Sequence, residues 1–215
     1  MTRIPMQPND LPATAALCRQ TLAPWIDRDW SVPAGDLEWT CRRTLDHIID
    51  TQLFLGGNAA MRSTSRVLPI RNGDPSATVE QLLSAVVTAA MLLERVCAGM
   101  GPGGRGFHPA GQADAEGFRA QGCAEILQHT WDIANGLGEG FRAPEDLSGR
   151  IVARLFPWTP TADEHPDRWE VLLWSVGRIA LPKRERLDSN WWVQMAPLEE
   201  WDGQRKVRTM SPAWR

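Results

Sequence analysis

Apolar residues recur at intervals of three and four along most of the chain before residue 180, which is the spacing of one face of an α-helix. The longest such pattern begins at Val79. Thr78 and Gln81 stand three positions apart at its start, as in a capping box, and the glycine-rich stretch 101–104 follows its end. The sequence therefore predicts a helix over residues 79–99.

Three more long helices are predicted in the first two thirds of the chain, over roughly residues 10–26, 40–60 and 114–136. Thr40 is suited to cap the N-terminus of the second of these helices, and Asp114 that of the last. Helix follows helix with hardly an alternating strand pattern before residue 190, which predicts a helical bundle.

The chain after residue 140 carries shorter helical patterns and most of the tryptophans. Helices are predicted after Pro144 and after Asp167, whereas segment 191–195 fits either a short strand or an extended packed segment. Seven of the 11 tryptophans lie beyond residue 150, and that much aromatic surface requires burial. We expect an all-α protein with a four-helix bundle, residues 8–140, and a helical, Trp-rich C-terminal extension, residues 141–215, packed on it.

Composition and charge narrow the class of protein. The 215 residues are 43% hydrophobic and 23% charged, with a net charge of −3, which does not favour nucleic acid as a general partner. No apolar run appears long enough to cross a bilayer, and the N-terminus lacks a signal-peptide core, so a cytoplasmic protein without a membrane partner is expected. The four cysteines have no close pair and are expected to be reduced and buried: Cys18, Cys41, Cys97 and Cys123.

Three side chains on two predicted helices form a candidate metal site. Glu125 and His129 are four positions apart, so they share one helical face and can coordinate one ion from the same side. His47, within the apolar run of the helix over 40–60, can add a third ligand from a facing helix. Two histidines and one carboxylate leave room for water or substrate, which is typical of a catalytic zinc site. A hydrogen-bonded Glu–His pair and an unrelated polar histidine are the alternative.

Three further residues are candidates for chemistry near that site. Asp132, one turn beyond His129, could orient a ligand histidine or line the pocket, or it could cap the adjacent loop. His108 lies in a loop bounded by glycine and proline, where it is either a proton-transfer group or a surface histidine. Arg178 could bind an anionic substrate or the carboxylate of a thiol cofactor, or it belongs to a solvated turn.

Three motifs together resemble one family. They are Trp39-Thr40 leading into Asp46-His47-Ile48, then His108-Pro109-Ala110-Gly111 with Ala113-Asp114, and Ala124-Glu125-Ile126-Leu127-Gln128-His129-Thr130-Trp131-Asp132. Their order and spacing over about residues 8–136 resemble the N-terminal domain of mycothiol-dependent maleylpyruvate isomerases, within the DinB/YfiT-like helical bundles. The resemblance implies a four-helix bundle with a divalent metal ion, zinc being expected, held by His47, Glu125 and His129.

The chain departs from that family after residue 140, because the isomerases carry a further α/β domain whereas a helical pattern and then a Trp- and Pro-rich segment follow here. A shared fold and metal site do not imply a shared reaction, so the resemblance does not extend to maleylpyruvate as the substrate.

Three functions are compatible with these features. The first is a metal-dependent enzyme that uses mycothiol or another low-molecular-weight thiol as an S-transferase or isomerase on a small electrophilic substrate. The second is a metal-dependent hydrolase or lyase, with His108 or Asp132 as the base. The third is a non-catalytic bundle that keeps the metal for stability or binds a small molecule. The Trp-rich extension could then serve as a lid or as a homodimer surface.

Overall fold

The computed structural model describes residues 3–67 and 73–208. These residues include six α-helices: α1 (Asp10–Leu22), α2 (Cys41–Met61), α3 (Val79–Gly99), α4 (Ala115–Gly136), α5 (Glu145–Leu155) and α6 (Arg168–Ser175). Two short 3₁₀ helices cover Ala23–Trp25 and Leu198–Glu200. Within the described ranges there are isolated β-bridges but no strand, so the all-α prediction is confirmed.

The helix starts lie where the sequence placed them because the expected caps are present. The Thr40 side chain accepts a hydrogen bond from the backbone N–H of Arg43, and the Asp114 side chain accepts one from Gly117. Thr78 makes the predicted capping box at the start of α3. These bonds satisfy N–H groups that the first helical turn cannot pair internally.

The first helix is shorter than the predicted span 10–26. It ends at Leu22, and Ala23–Trp25 continue it as one 3₁₀ turn. Pro24 lies in that turn, and proline cannot donate the backbone hydrogen bond that an α-helix needs. The tighter turn therefore replaces the last turn of the predicted helix.

The four long helices form the bundle core. Both α1 and α2 pack against α3 and against α4, and α3 also contacts α4. Gly122 lies where α4 passes the other helices, since a Cβ atom there would be 2.7 Å from a Leu11 methyl group and 2.9 Å from one of Leu93. The missing side chain allows the helices to approach this closely.

The expectation that no apolar run could cross a bilayer needs correction for α3. This helix is the one element among the described residues that is long and apolar enough for a membrane span by length and composition. A core helix of a bundle passes the same test, and α3 buries Leu83, Val86, Ala90 and Leu93 in contacts with its neighbours.

The chain after α4 is attached to the bundle through α5. This helix packs on α4 and on α6, and its Arg154 is completely buried. The Arg154 guanidinium donates to the Asp114 carboxylate at 2.7 Å and to the backbone carbonyls of Gln194 and Met195. One side chain thus joins the start of α4, helix α5 and the segment 191–195. That segment forms no strand and makes one isolated bridge, from Trp191 to Val207.

The four cysteines are free and buried, as predicted. Cys123, in α4, is fully buried against Thr14 of α1, so it belongs to the core.

Candidate metal centre

The structure brings the three predicted ligands together between α2 and α4. The Nε2 atom of His129 lies 3.3 Å from Oε2 of Glu125, and Nε2 of His47 lies 3.9 Å from the same oxygen. All three ligand atoms fall within 4.8 Å of one another. The helical spacing of four residues explains the pair on α4, and the packing of α2 on α4 supplies His47.

These distances fit a single divalent ion. Two ligands at about 2.1 Å from a tetrahedral ion lie about 3.4 Å apart. The His129–Glu125 separation matches that value, and the His47–Glu125 separation exceeds it by a few tenths of an ångström. The group could hold a metal ion if His47 moves closer to the pair on α4, since its ligand atom is 3.9 Å from Glu125 and within 4.8 Å of that of His129.

The protonation states suit such a role for His47 and Glu125. Burial, reinforced by the neighbouring His129, lowers the pKa of His47 to about 4, so its imidazole is neutral near pH 7. Burial opposes ionisation of Glu125, but the hydrogen bond with His129 and nearby positive charge outweigh it and hold its pKa at about 2. A neutral imidazole and a carboxylate are the forms that bind a metal ion.

His129 lies between two carboxylates. Its Nδ1 atom is 2.8 Å from Oδ2 of Asp132, on the side of the ring away from Glu125. Burial opposes protonation of His129, but its hydrogen bonds with Asp132 and Glu125 outweigh burial and raise its pKa. An imidazole that meets a carboxylate through one nitrogen and presents the other to the ion is the usual arrangement of a metal-bound histidine.

Asp132 is in turn held by Arg178. The guanidinium makes two hydrogen bonds to the Asp132 carboxylate, at 2.9 Å and 2.8 Å, and a third to the Val176 carbonyl. Burial opposes ionisation of Asp132, but the bonds with His129 and Arg178 outweigh it and lower its pKa. Of its predicted roles, Asp132 thus makes the contact that orients His129, and Arg178 lies behind it.

Two neighbouring polar groups were not predicted from the sequence. Gln121 donates from Nε2 to Oε1 of Glu125 at 2.8 Å, and the Thr51 hydroxyl lies 3.3 Å from Nε2 of His47. Each is four positions from its partner on the same helix, and this spacing is the signal that could have revealed them. They restrain the ligand side chains beside the candidate site.

A cavity of about 420 Å³ opens beside the three ligands. Its described lining is both aromatic and charged: Trp39, Phe54, Trp191 and Trp192, the arginines Arg43, Arg66, Arg178 and Arg208, and the carboxylates Asp50 and Glu125. Three arginines lie over rings of this lining, with Arg43 5.0 Å from the centre of Trp39, Arg66 5.3 Å from Phe54 and Arg208 4.4 Å from Trp192. The volume suits a small-molecule ligand.

His108 also lines this cavity, although sequence reasoning left open a surface position. The residue is only 9% exposed, and its ring lies 6.1 Å from that of Trp192. Its Nδ1 atom accepts a hydrogen bond from the backbone N–H of Ala110. Burial lowers the pKa of His108 to about 3. The structure thus brings every predicted site residue to the cavity or, for Asp132, directly behind it.

Comparisons of this chain with protein-family models, curated proteins and solved structures found no match. The assignment of a function therefore depends on the geometry of the site.

Proposed function

We propose that this protein is a metal-dependent, thiol-using enzyme, an S-transferase or isomerase for a small electrophilic molecule, built on a DinB-like bundle. The observation that carries the proposal is the convergence of His47, Glu125 and His129 beside a cavity of about 420 Å³. Three ligands leave further coordination positions open toward a substrate.

The chain's own residues prepare the site for a divalent ion, with zinc the expected one. His47 and Glu125 are already in their metal-binding protonation states. Asp132 can accept a hydrogen bond from the Nδ1–H group of a neutral His129. When bound, the ion would lower the pKa of a ligated thiol from about 8.5 toward neutrality.

The absence of a suitable base among the predicted candidates favours sulfur over water as the nucleophile. Hydrolysis usually needs a group that takes a proton from the attacking water. Both oxygens of Asp132 are bonded to Arg178, and one also meets His129. The lone pair on Nδ1 of His108 accepts a hydrogen bond from the backbone N–H of Ala110. A thiol can be deprotonated without a general base, because its own pKa is far below that of water.

The same site can support two outcomes. Addition of the thiolate to a conjugated alkene forms a carbon–sulfur bond and moves the π electrons toward the electron-withdrawing group. Rotation about the former double bond and loss of the thiolate would give the isomer, whereas protonation of the adduct would give the S-conjugate. His47, Glu125 and His129 are assigned as metal ligands in both cases.

Cobalt substitution tests this proposal directly. Addition of mycothiol or N-acetylcysteine to the cobalt-loaded protein is expected to produce a sulfur-to-cobalt charge-transfer band, and His129→Ala is expected to abolish it. His165→Ala is the matched control, because His165 pairs with Glu170 outside the cavity lining. No band at saturating thiol would contradict the proposal. Hydrolysis of an activated ester would then indicate water activation, and tight ligand binding without either reaction would indicate a binding protein.

A further inference from the structure

The loop that carries His108 is fixed by its own backbone. Gly106 and Ala113 exchange two hydrogen bonds of 2.9 Å across the loop, and the Gly111 N–H bonds to the His108 carbonyl. Within this turn the backbone N–H of Ala110 donates to Nδ1 of His108 at 3.1 Å. The orientation of the ring is therefore set by main-chain groups between α3 and α4.

This backbone bond also determines which ring nitrogen carries the proton. A neutral imidazole has one N–H and one lone pair, and a nitrogen that accepts a hydrogen bond must be the one with the lone pair. The ring is neutral because burial lowers its pKa to about 3. The proton of His108 is therefore on Nε2.

The Nε2–H group is the polar atom of the ring that is left for a ligand. Nε2 has no hydrogen-bond partner among residues 3–67 and 73–208, and within that part of the chain it is not fully buried. Since His108 lines the cavity, its donor is accessible there, on the side of the ring opposite Ala110. An accessible, fixed donor in a pocket contributes most when a ligand supplies an acceptor.

We propose that His108 is a fixed hydrogen-bond donor to the ligand, and that the ligand presents a carboxylate attached to a flat apolar body. This inference deepens the proposed function, on which it rests only for the choice of cavity. A carboxylate oxygen accepts from Nε2–H, and four arginines occur in the described lining. Arg178 is held by Asp132, and Arg43 lies 3.4 Å from Asp46 and from Asp50, so an anion would share these guanidinium groups with protein carboxylates. The flat body is suited to the aromatic rings of the lining, among them Trp192 beside His108, one face of which is covered by Arg208.

The inferred tautomer bears on one predicted role for His108, that of a general base. A general base must offer a lone pair to the proton it removes. The lone pair of His108 points to Ala110, and the atom that is left for a ligand already carries hydrogen. In this tautomer His108 orients a ligand and takes no proton from it.

Two substitutions separate the donor from the loop structure. Asparagine at this position offers an oxygen near Nδ1 and keeps an acceptor for the Ala110 N–H, but it lacks the reach of Nε2. Glutamine places an amide N–H₂ near Nε2. His108→Asn therefore removes the donor while retaining the turn, and His108→Gln restores the donor.

The test uses benzoate as the probe and the full-length, metal-free protein, so that a carboxylate cannot bind through an ion. Binding followed by NMR chemical shifts is expected for benzoate and not for benzyl alcohol. His108→Asn is expected to weaken benzoate binding about 10- to 100-fold, as for a lost hydrogen bond to a charged group, and His108→Gln to recover most of it. Long-range ¹H–¹⁵N spectra at pH 7 are expected to show His108 with its proton on Nε2.

Three results would overturn the inference: no benzoate binding by the wild-type protein, equal affinity in His108→Asn, or a proton on Nδ1. None of them depends on a metal ion or a thiol. Failure of the cobalt experiment together with success of this one would therefore reject the proposed reaction and retain the carboxylate site.

Discussion

At the scale of single residues, the candidate metal centre depends on a chain of contacts behind His129. Asp132 fixes the imidazole through Nδ1, and Arg178 fixes Asp132 through two hydrogen bonds. Such groups set the orientation and basicity of a ligand histidine without touching the ion. Arg178 is thus a positioning residue that belongs to the chain beyond α6.

Substitution of Arg178 tests this chain of contacts. Arg178→Met is expected to weaken zinc binding about 10- to 100-fold, because Asp132 then no longer holds His129 in place, and Arg178→Lys is expected to lose less. Competition with a chelator measures the zinc affinity, and the absorption spectrum of the cobalt form reports any change in ligand geometry.

Arg150→Met provides the matched control. Arg150 is similarly shielded, at 15% side-chain exposure against 12% for Arg178, and it pairs with Asp10 away from the cavity lining. Its loss should reduce stability but leave the zinc affinity unchanged. Equal zinc affinities for Arg178→Met and the wild-type protein would show that Arg178 does not position His129.

His108 gives a pH dependence of stability with a definite sign. Its pKa is about 3 in the folded protein, because of burial, and about 6.5 in an unfolded chain. Between these values the unfolded state binds a proton that the folded state does not, so stability falls as the pH decreases below about 6.5, by up to about 1.4 kcal/mol per pH unit. Urea unfolding of the metal-free protein between about pH 7 and pH 5 should show a steeper loss for wild type than for His108→Asn. Parallel pH profiles would contradict the assignment.

At the scale of helices, the close approach of α4 to its neighbours depends on Gly122. Alanine there would place a Cβ atom 2.7 Å from Leu11, 2.8 Å from Gln52 and 2.9 Å from Leu93. Gly122→Ala is expected to destabilise the protein by about 1–3 kcal/mol, because overpacking exceeds the gain in helix propensity. Gly57→Ala in α2 meets nothing within 4 Å and should stabilise by about 0.5–1 kcal/mol. Chemical denaturation measures both, and a stabilising Gly122→Ala would contradict the described packing.

Helix positions were predictable from the sequence where local signals agree. Thr40, Thr78 and Asp114 each precede a long apolar pattern, so caps and periodicity indicate the same starts. The end of α1 was predicted four residues late, since the apolar pattern continues past Leu22 whereas Pro24 does not allow the α-helical bonds to continue. The bridge from Trp191 to Val207 joins distant positions and leaves no local pattern.

At the scale of the whole molecule, the site combines local and long-range information. Glu125 and His129 were accessible to sequence reasoning because one helix sets their spacing, and His47 because bundle cores build metal sites from facing helices and the family resemblance includes it. Arg178 lies 46 positions from Asp132, and only the packing of the C-terminal chain brings them together. The tautomer of His108 depends on one backbone bond within its loop, which spacing alone does not reveal.

The metal content of the purified protein tests the central claim most directly. We predict close to one divalent ion per chain by elemental analysis after growth in zinc-supplemented medium, and its loss in Glu125→Gln and His129→Ala but not in His165→Ala. A protonated His129 bridging Glu125 and Asp132 would explain the same contacts without an ion. Wild-type protein that contains no metal and takes up none on titration with zinc would support that ion pair and contradict a metal centre.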